Sequence, residues 1–195
     1  MERNSKRHES NLLNIVFFTT GIVSAIAIVV LIILQYVKDD FQFWPPPNPQ
    51  SWQKKIFRAL FRVFFYSLVV LSFVDFQPSS LWRYIIGGAL LFVGIGLAMR
   101  WTGFLGWRNS FGEPTGLKTT GPFAWSRNPV YMATIVGMIG WAIVTNSALV
   151  SILLALWALL YIVAPFVEEP WLQREFGKEY RIYMDQTPRY FRVFR

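Results

Sequence analysis

Two short strings in the second half of this sequence carry side chains able to do chemistry: Ser126-Arg127-Asn128-Pro129-Val130-Tyr131 and Val167-Glu168-Glu169-Pro170. In the first, a cation stands two residues before a proline suited to open a helix, where a missing amide hydrogen costs nothing. The free amides of such a first turn, with Arg127 beside them, form a corner for an anion. An arginine ahead of a membrane helix also serves as an ordinary interfacial anchor, and charge alone does not separate the two roles. In the second string, adjacent carboxylates stand where an apolar run ends. Ionisable groups at that depth face water, a partner or a pocket rather than lipid; solvation beyond the headgroups is the plain alternative. Thr120-Gly121-Pro122-Phe123 leads into the first string, and Glu175, Phe176, Gly177, Glu179, Tyr180, Tyr183, Pro188 and Arg189 follow the second. A surface helix accounts for most of these last residues, although Tyr180 and Tyr183 could equally line a pocket entrance.

Other chemistries are excluded by what the chain lacks. It has no Cys, so disulfides, thiolate metal sites and a cysteine nucleophile are ruled out. Its single histidine, His8, lies in a polar N-terminal stretch, which leaves no histidine general base and no His-rich metal site. The net charge of +8 raises nucleic acid as a partner. In a membrane protein the same charge reports topology, because Lys and Arg gather on the cytoplasmic side, so no nucleic-acid partner is expected.

The elements that must position these residues are membrane helices. Of the 195 residues 54% are hydrophobic and only 15% charged, far from a soluble profile. Five runs approach the roughly 20 apolar residues that cross a bilayer: Leu12–Val37, Ile56–Phe76, Leu81–Met99, Pro129–Thr145 and Ala148–Val167. We therefore expect an all-α polytopic membrane protein of about five transmembrane helices, with a C-terminal hairpin and an amphipathic C-terminal tail. The first run is too long for the ~7–15-residue core of a cleaved signal peptide and reads as a retained helix. Gly87, Gly88, Gly94 and Gly96 in the third run suit close backbone approach. Only Asn146 and Ser147 separate the fourth and fifth runs, which predicts a tight antiparallel hairpin bringing Arg127, Asn128 and the glutamate pair to one face.

Residues 1–195 form a single membrane domain. Residues 1–100 hold three spans and a loop; residues 101–195 hold a second loop, the hairpin and the tail. Lys38–Lys55, with Trp44-Pro45-Pro46-Pro47, reads as a stiff interfacial loop, and Arg100–Asn128 as a long functional one. In Glu168–Arg195, Leu172, Phe176, Tyr180 and Tyr183 recur at helical spacing, predicting a helix that lies on the membrane. With five spans, both loops and the tail share one face that holds fifteen of the nineteen Lys and Arg, leaving Arg3, Lys6, Arg7 and Arg83 opposite. The positive-inside rule makes that face cytoplasmic and places the N-terminus outside.

Taken together, Thr119-Thr120-Gly121-Pro122-Phe123, Arg127-Asn128-Pro129-Val130-Tyr131, Glu168-Glu169-Pro170-Trp171-Leu172, Phe176-Gly177-Lys178-Glu179-Tyr180, Tyr183 and Pro188-Arg189 resemble the integral membrane methyltransferases typified by isoprenylcysteine carboxyl methyltransferase. Phospholipid methyltransferases share the pattern. The resemblance covers roughly Gly112 to Arg189, and residues before it carry no usable motif. It implies S-adenosylmethionine as methyl donor, bound among the hairpin, the preceding loop and the C-terminal segment. By position, Gly121, Pro122, Arg127, Asn128, Pro129, Tyr131, Glu168 and Glu169 become candidate cofactor-binding residues, and Glu169, Tyr180 and Arg189 candidate catalytic ones, with no metal. Asn128 stands where the family's motif has histidine, and Ala133 where glycine is typical. In this reading Arg127 and nearby amides hold the donor's carboxylate, a glutamate takes its ribose hydroxyls or ammonium, and Tyr131 or Trp171 faces the sulfonium. A lipophilic acceptor would enter from the bilayer: an isoprenylcysteine carboxylate, a phospholipid amine or a small thiol. The rival readings are an NADPH-dependent membrane reductase of the sterol type, for which the loop's cations are few, and a non-catalytic membrane scaffold of the same fold.

Overall fold

Each apolar run becomes a helix, since a backbone in lipid must satisfy its hydrogen bonds within its own segment. The computed structural model describes residues 2–38 and 40–191, with side chains described from His8 onward. Its helices are α1 (Glu2–Val37), α2 (Trp52–Val74), α3 (Leu81–Leu105), the single turn α4 (Trp107–Ser110), α5 (Pro129–Thr145) and α6 (Ala148–Gln186), with a 3-10 turn at Gly121–Ala124. Four of them, α1, α2, α3 and α6, are long and apolar enough to cross a membrane, and α5 is an apolar helix of 17 residues. At 1.5 Å per residue α5 is about 26 Å long, close to the thickness of the hydrocarbon core. The all-helical membrane architecture expected from the sequence is the one observed.

Helix ends depart from the apolar runs where polar residues sustain the helix. The polar N-terminal stretch is helical from Glu2, so α1 starts well before Leu12; its Glu, Arg and Lys residues are good helix formers. Ser51 caps α2 by accepting from the Lys54 amide at 3.3 Å, four residues ahead of the expected start. Helix α3 continues past Arg100 to Leu105 and stops at Gly106, whose φ of 93° suits glycine. The tail is helical, as its periodicity predicts. It prolongs α6 to Gln186, bent at Gly177, where φ 52° and ψ −123° leave the helical region. Tyr180 and Tyr183 are buried there with Phe123, and Leu172 and Phe176 pack around them, so the predicted stripe faces the α3–α5 connection. Arg3, Lys6, Arg7, Arg192 and Arg195, all part of the charge count, lie outside the described side chains.

Helices α1, α2, α5 and α6 share a core of Ala25, Phe64, Leu68, Leu71, Met138, Leu153 and Trp157. Large apolar side chains on the outer faces, among them Phe73, Leu81 and Phe92, are exposed, as suits surfaces that meet lipid. Helix α3 lies against α5 along glycines: a Cβ at Gly94 would stand 2.2 Å from the Gly137 nitrogen, and one at Gly140 2.3 Å from the Leu91 nitrogen. The hairpin between α5 and α6 turns on Asn146 in the left-handed conformation, which asparagine tolerates, and on Ser147, whose hydroxyl accepts from the Val150 amide. Asp75 secures this end, accepting from Ser147 Oγ at 2.5 Å and Asn14 Nδ2 at 2.9 Å. The polar loops and the tail gather at the opposite end.

Candidate active site

The antiparallel hairpin sets the start of α5 beside the middle of α6. The Tyr131 and Tyr161 rings stand 4.6 Å apart, and the Tyr131 hydroxyl donates to Glu168 Oε1 at 2.7 Å. One turn earlier, Arg127 Nη2 donates to Glu169 Oε1 at 2.8 Å. Arg189 completes a fork on the same carboxylate, from Nε to Oε1 at 2.8 Å and from Nη2 to Oε2 at 2.6 Å. Its guanidinium also lies over the Phe166 ring at 3.9 Å. The Arg127 and Glu169 side chains are 8% and 6% exposed, so this ion pair is buried, while Arg189 at 31% keeps contact with solvent.

Segment 126–128 clasps the C-terminal segment as well. Arg127 Nη1 donates to the Met184 and Thr187 carbonyls, each at 3.0 Å, and its backbone amide to the Pro188 carbonyl at 2.9 Å. Ser126 Oγ and Asn128 Nδ2 both donate to the Arg189 carbonyl. Both terminal nitrogens of Arg127 are thus occupied, and its buried Nε has no partner among the described residues. Tyr183 Oη donates to the Phe123 carbonyl at 2.6 Å, which fixes the bent end of α6 over the loop.

These residues surround a cleft of about 840 Å³, counting the open space at its mouth. Arg127, Asn128, Tyr131, Glu168, Glu169 and Tyr180 line it. On the other side of segment 122–130 lies an open, apolar groove of about 1260 Å³ between α3, α5 and the C-terminal segment, lined by Leu97, Trp101, Trp125, Met132, Val136 and Phe191. The segment divides the two by alternation. Phe123, Arg127, Asn128 and Val130 face the cleft, while Pro122, Ser126 and Pro129 face the groove. Of the remaining sequence candidates, Gly121 is exposed next to Phe104, and Glu175 and Glu179 are exposed away from the cleft. The cleft also takes residues the sequence reading did not select, chiefly Trp44 and Pro45 from the α1–α2 loop and Asn109 and Lys118 from the α3–α5 loop. Among the described residues, no group of three or more His, Cys, Asp or Glu could hold a metal ion.

The start of α2 is tied to the α3–α5 loop beside the cleft. Lys54 Nζ donates to Glu113 Oε1 at 2.5 Å and Arg108 Nε to Glu113 Oε2 at 2.7 Å. The hydrogen bond from Lys54, then that from Arg108, holds the Glu113 carboxyl down at about 2. Because this lies below the 4.5 of a free carboxyl, the pairing stabilises the fold fully above pH 4.5 and is lost as pH falls toward 2. Melting curves of detergent-purified protein should show that acid limb. Glu113→Gln should flatten it and lower the neutral-pH midpoint, since Lys54, whose side chain is 3% exposed, then loses its counter-charge.

The sequence matches the family described as phospholipid methyltransferase over residues 82–179. The match takes in α3, α5 and most of α6, and with them Arg127, Asn128, Tyr131, Glu168 and Glu169. Among curated proteins, the nickel-cobalt-cadmium resistance protein NccN of Alcaligenes xylosoxydans xylosoxydans is 36% identical over an alignment of 111 residues, a match that covers 54% of this chain and 51% of that protein. The chain thus spans about half the length of this curated relative. No solved structure matches the chain.

Proposed function

This chain belongs to the phospholipid methyltransferase family, and from that premise we propose that it transfers a methyl group from S-adenosylmethionine to a lipophilic acceptor. One observation carries the reading: a cleft lined in part by Lys118, Arg127, Glu168 and Glu169 and a groove with no charged side chain among its described lining residues lie back to back across segment 122–130. Two substrates of opposite character, one water-soluble and one lipid-like, need such a pair of adjoining surfaces.

The cleft's residues fit the donor. Glu168 is bonded through Oε1 alone among the described residues, which leaves Oε2 to accept from an ammonium or from ribose hydroxyls. Trp171, Phe176 and Tyr180 offer aromatic walls to a purine or a cation. Lys118, exposed on the rim, supplies a positive partner for a carboxylate. When bound, S-adenosylmethionine supplies a methyl group on a sulfonium, which a nucleophile takes by in-line displacement. The chain's own part is orientation and exclusion of water, both large effects in reactions of this kind. Arg127 and Arg189 contribute by fixing Glu169 and the C-terminal segment, which walls both cavities. Asn128, in the position of the family's histidine, holds the Arg189 carbonyl. A base is dispensable for an acceptor that is already a carboxylate, a thiolate or a free amine. On this reading the cytoplasm, source of the donor, lies on the side of the cleft.

Calorimetric titration of S-adenosylmethionine and, separately, NADPH into detergent-purified protein tests the proposal. Micromolar affinity for S-adenosylmethionine alone is the expected result. Preference for NADPH would make the protein a reductase. Binding of neither, by folded protein, would leave the scaffold reading.

A further inference from the structure

The methyltransferase family match begins at residue 82, yet a residue far ahead of it reaches into the cleft. Trp44 Nε1 donates to Glu168 Oε1 at 2.8 Å, on the same oxygen that receives the Tyr131 hydroxyl. Its ring is 8% exposed and stacks on Phe57 with centroids 4.2 Å apart. The backbone there is held independently. Gln35 Oε1, from the last turn of α1, accepts from the Trp44 amide at 2.9 Å and the Phe43 amide at 3.1 Å, and Phe43 is fully buried. The neighbouring loop closes on this corner as well. A Cβ at Gly112 would stand 2.8 Å from Pro46 Cδ, and Lys54 pairs with Glu113 just beyond. The indole is therefore fixed by contacts other than Glu168, and the support runs from the loop to the carboxylate.

We propose that Trp44 is a positioning residue that, with Tyr131, holds one oxygen of Glu168 so that the other is presented to a hydroxyl or ammonium group of the ligand in the cleft. The α1–α2 pair is then part of the donor site and not only a membrane anchor for it. The ligand clause rests on the reading of the cleft as a donor site; the pairing of Trp44 with Glu168 does not. A carboxylate with two donors on one oxygen loses rotational freedom before the ligand arrives, and that preorganisation adds to affinity. A tryptophan serving only as packing would be replaced by phenylalanine with little consequence.

Two measurements separate these cases. The first needs no ligand: the indole N–H resonance of Trp44, assigned by its disappearance in Trp44→Phe, should lie downfield and shift upfield in Glu168→Gln. No shift would overturn the pairing. The second is S-adenosylmethionine affinity across the four proteins of the double-mutant cycle. Trp44→Phe, which keeps the stack on Phe57, should weaken binding about tenfold, as loss of a hydrogen bond to a charged group does. In the Glu168→Gln background the same change should weaken it no more than about twofold. Equal losses in both backgrounds would show that Trp44 acts by packing and would overturn the proposal. Wild-type protein that binds no S-adenosylmethionine overturns the functional reading together with the ligand clause, while the resonance still decides the Trp44–Glu168 pair.

Discussion

Glu169→Gln is expected to weaken S-adenosylmethionine binding at least tenfold and to destabilise the protein by about 3–5 kcal/mol, the usual result of removing one partner from a buried ion pair. The substitution keeps the shape of the side chain and removes its charge. Three charged hydrogen bonds end on this carboxylate, one from Arg127 and two from Arg189. Arg189 is partly exposed and can turn to solvent, but the Arg127 side chain is 8% exposed and has nowhere to take its charge. Its Nη1 would keep the Met184 and Thr187 carbonyls, which do not neutralise it. The stability loss should appear in the thermal midpoint, and the affinity loss in calorimetry at a temperature where the variant is still folded. A lowered midpoint with unchanged affinity would sink the assignment of Glu169 to the donor site and leave it a purely structural carboxylate. Arg189→Lys should lie between the two proteins, since an ammonium cannot reproduce the two-point fork on Glu169.

The legible part of this molecule is the part governed by lipid. Apolar runs near Leu12, Ile56, Leu81, Pro129 and Ala148 had to become helices, and two linking residues, Asn146 and Ser147, had to make a hairpin. From that hairpin the meeting of Arg127 with Glu169, and of Tyr131 with Glu168, follows by helix length alone. Helix ends were less legible, because hydropathy reports the hydrocarbon boundary while the backbone obeys caps and propensity. What the tail packs against is no more legible. Leu172, Phe176, Tyr180 and Tyr183 form a stripe that would suit a membrane surface or a protein surface, and periodicity does not say which. Trp44 carried no signal at all. A tryptophan before three prolines in an interfacial loop is ordinary, and its partner lies 124 residues away. A tertiary contact between a loop and a helix so far along the chain has no local signature, so the N-terminal wall of the cleft had to be seen.

The contact of α3 with α5 supplies the second large effect, because it allows no adjustment. Gly94→Ala and Gly140→Ala are each expected to destabilise the protein by about 3 kcal/mol or more, at the upper end of overpacking costs. The atoms in the way are backbone. At Gly94 a methyl group would stand 2.2 Å from the Gly137 nitrogen, 2.6 Å from its Cα and 2.8 Å from the Ala133 carbonyl. At Gly140 it would stand 2.3 Å from the Leu91 nitrogen and 2.5 Å from the Gly87 carbonyl. No rotamer change clears such contacts, so the helices must move apart and give up the close approach that small residues provide in membranes. Gly88→Ala and Gly96→Ala are the internal controls. A Cβ at either position meets nothing within 4 Å, and alanine's better helix propensity, about 1 kcal/mol, should leave these variants unchanged or slightly more stable. The cost should reach function as well as stability. Gly94 and Ala133 line the apolar groove, and α5 carries Pro129 and Tyr131 at its start. Moving α5 outward therefore reshapes the groove and pulls Tyr131 from Glu168, so donor affinity should fall in Gly94→Ala and hold in Gly88→Ala. If all four alanine variants melt alike, α3 and α5 are not in backbone contact, and the division of the site into cleft and groove falls with that contact.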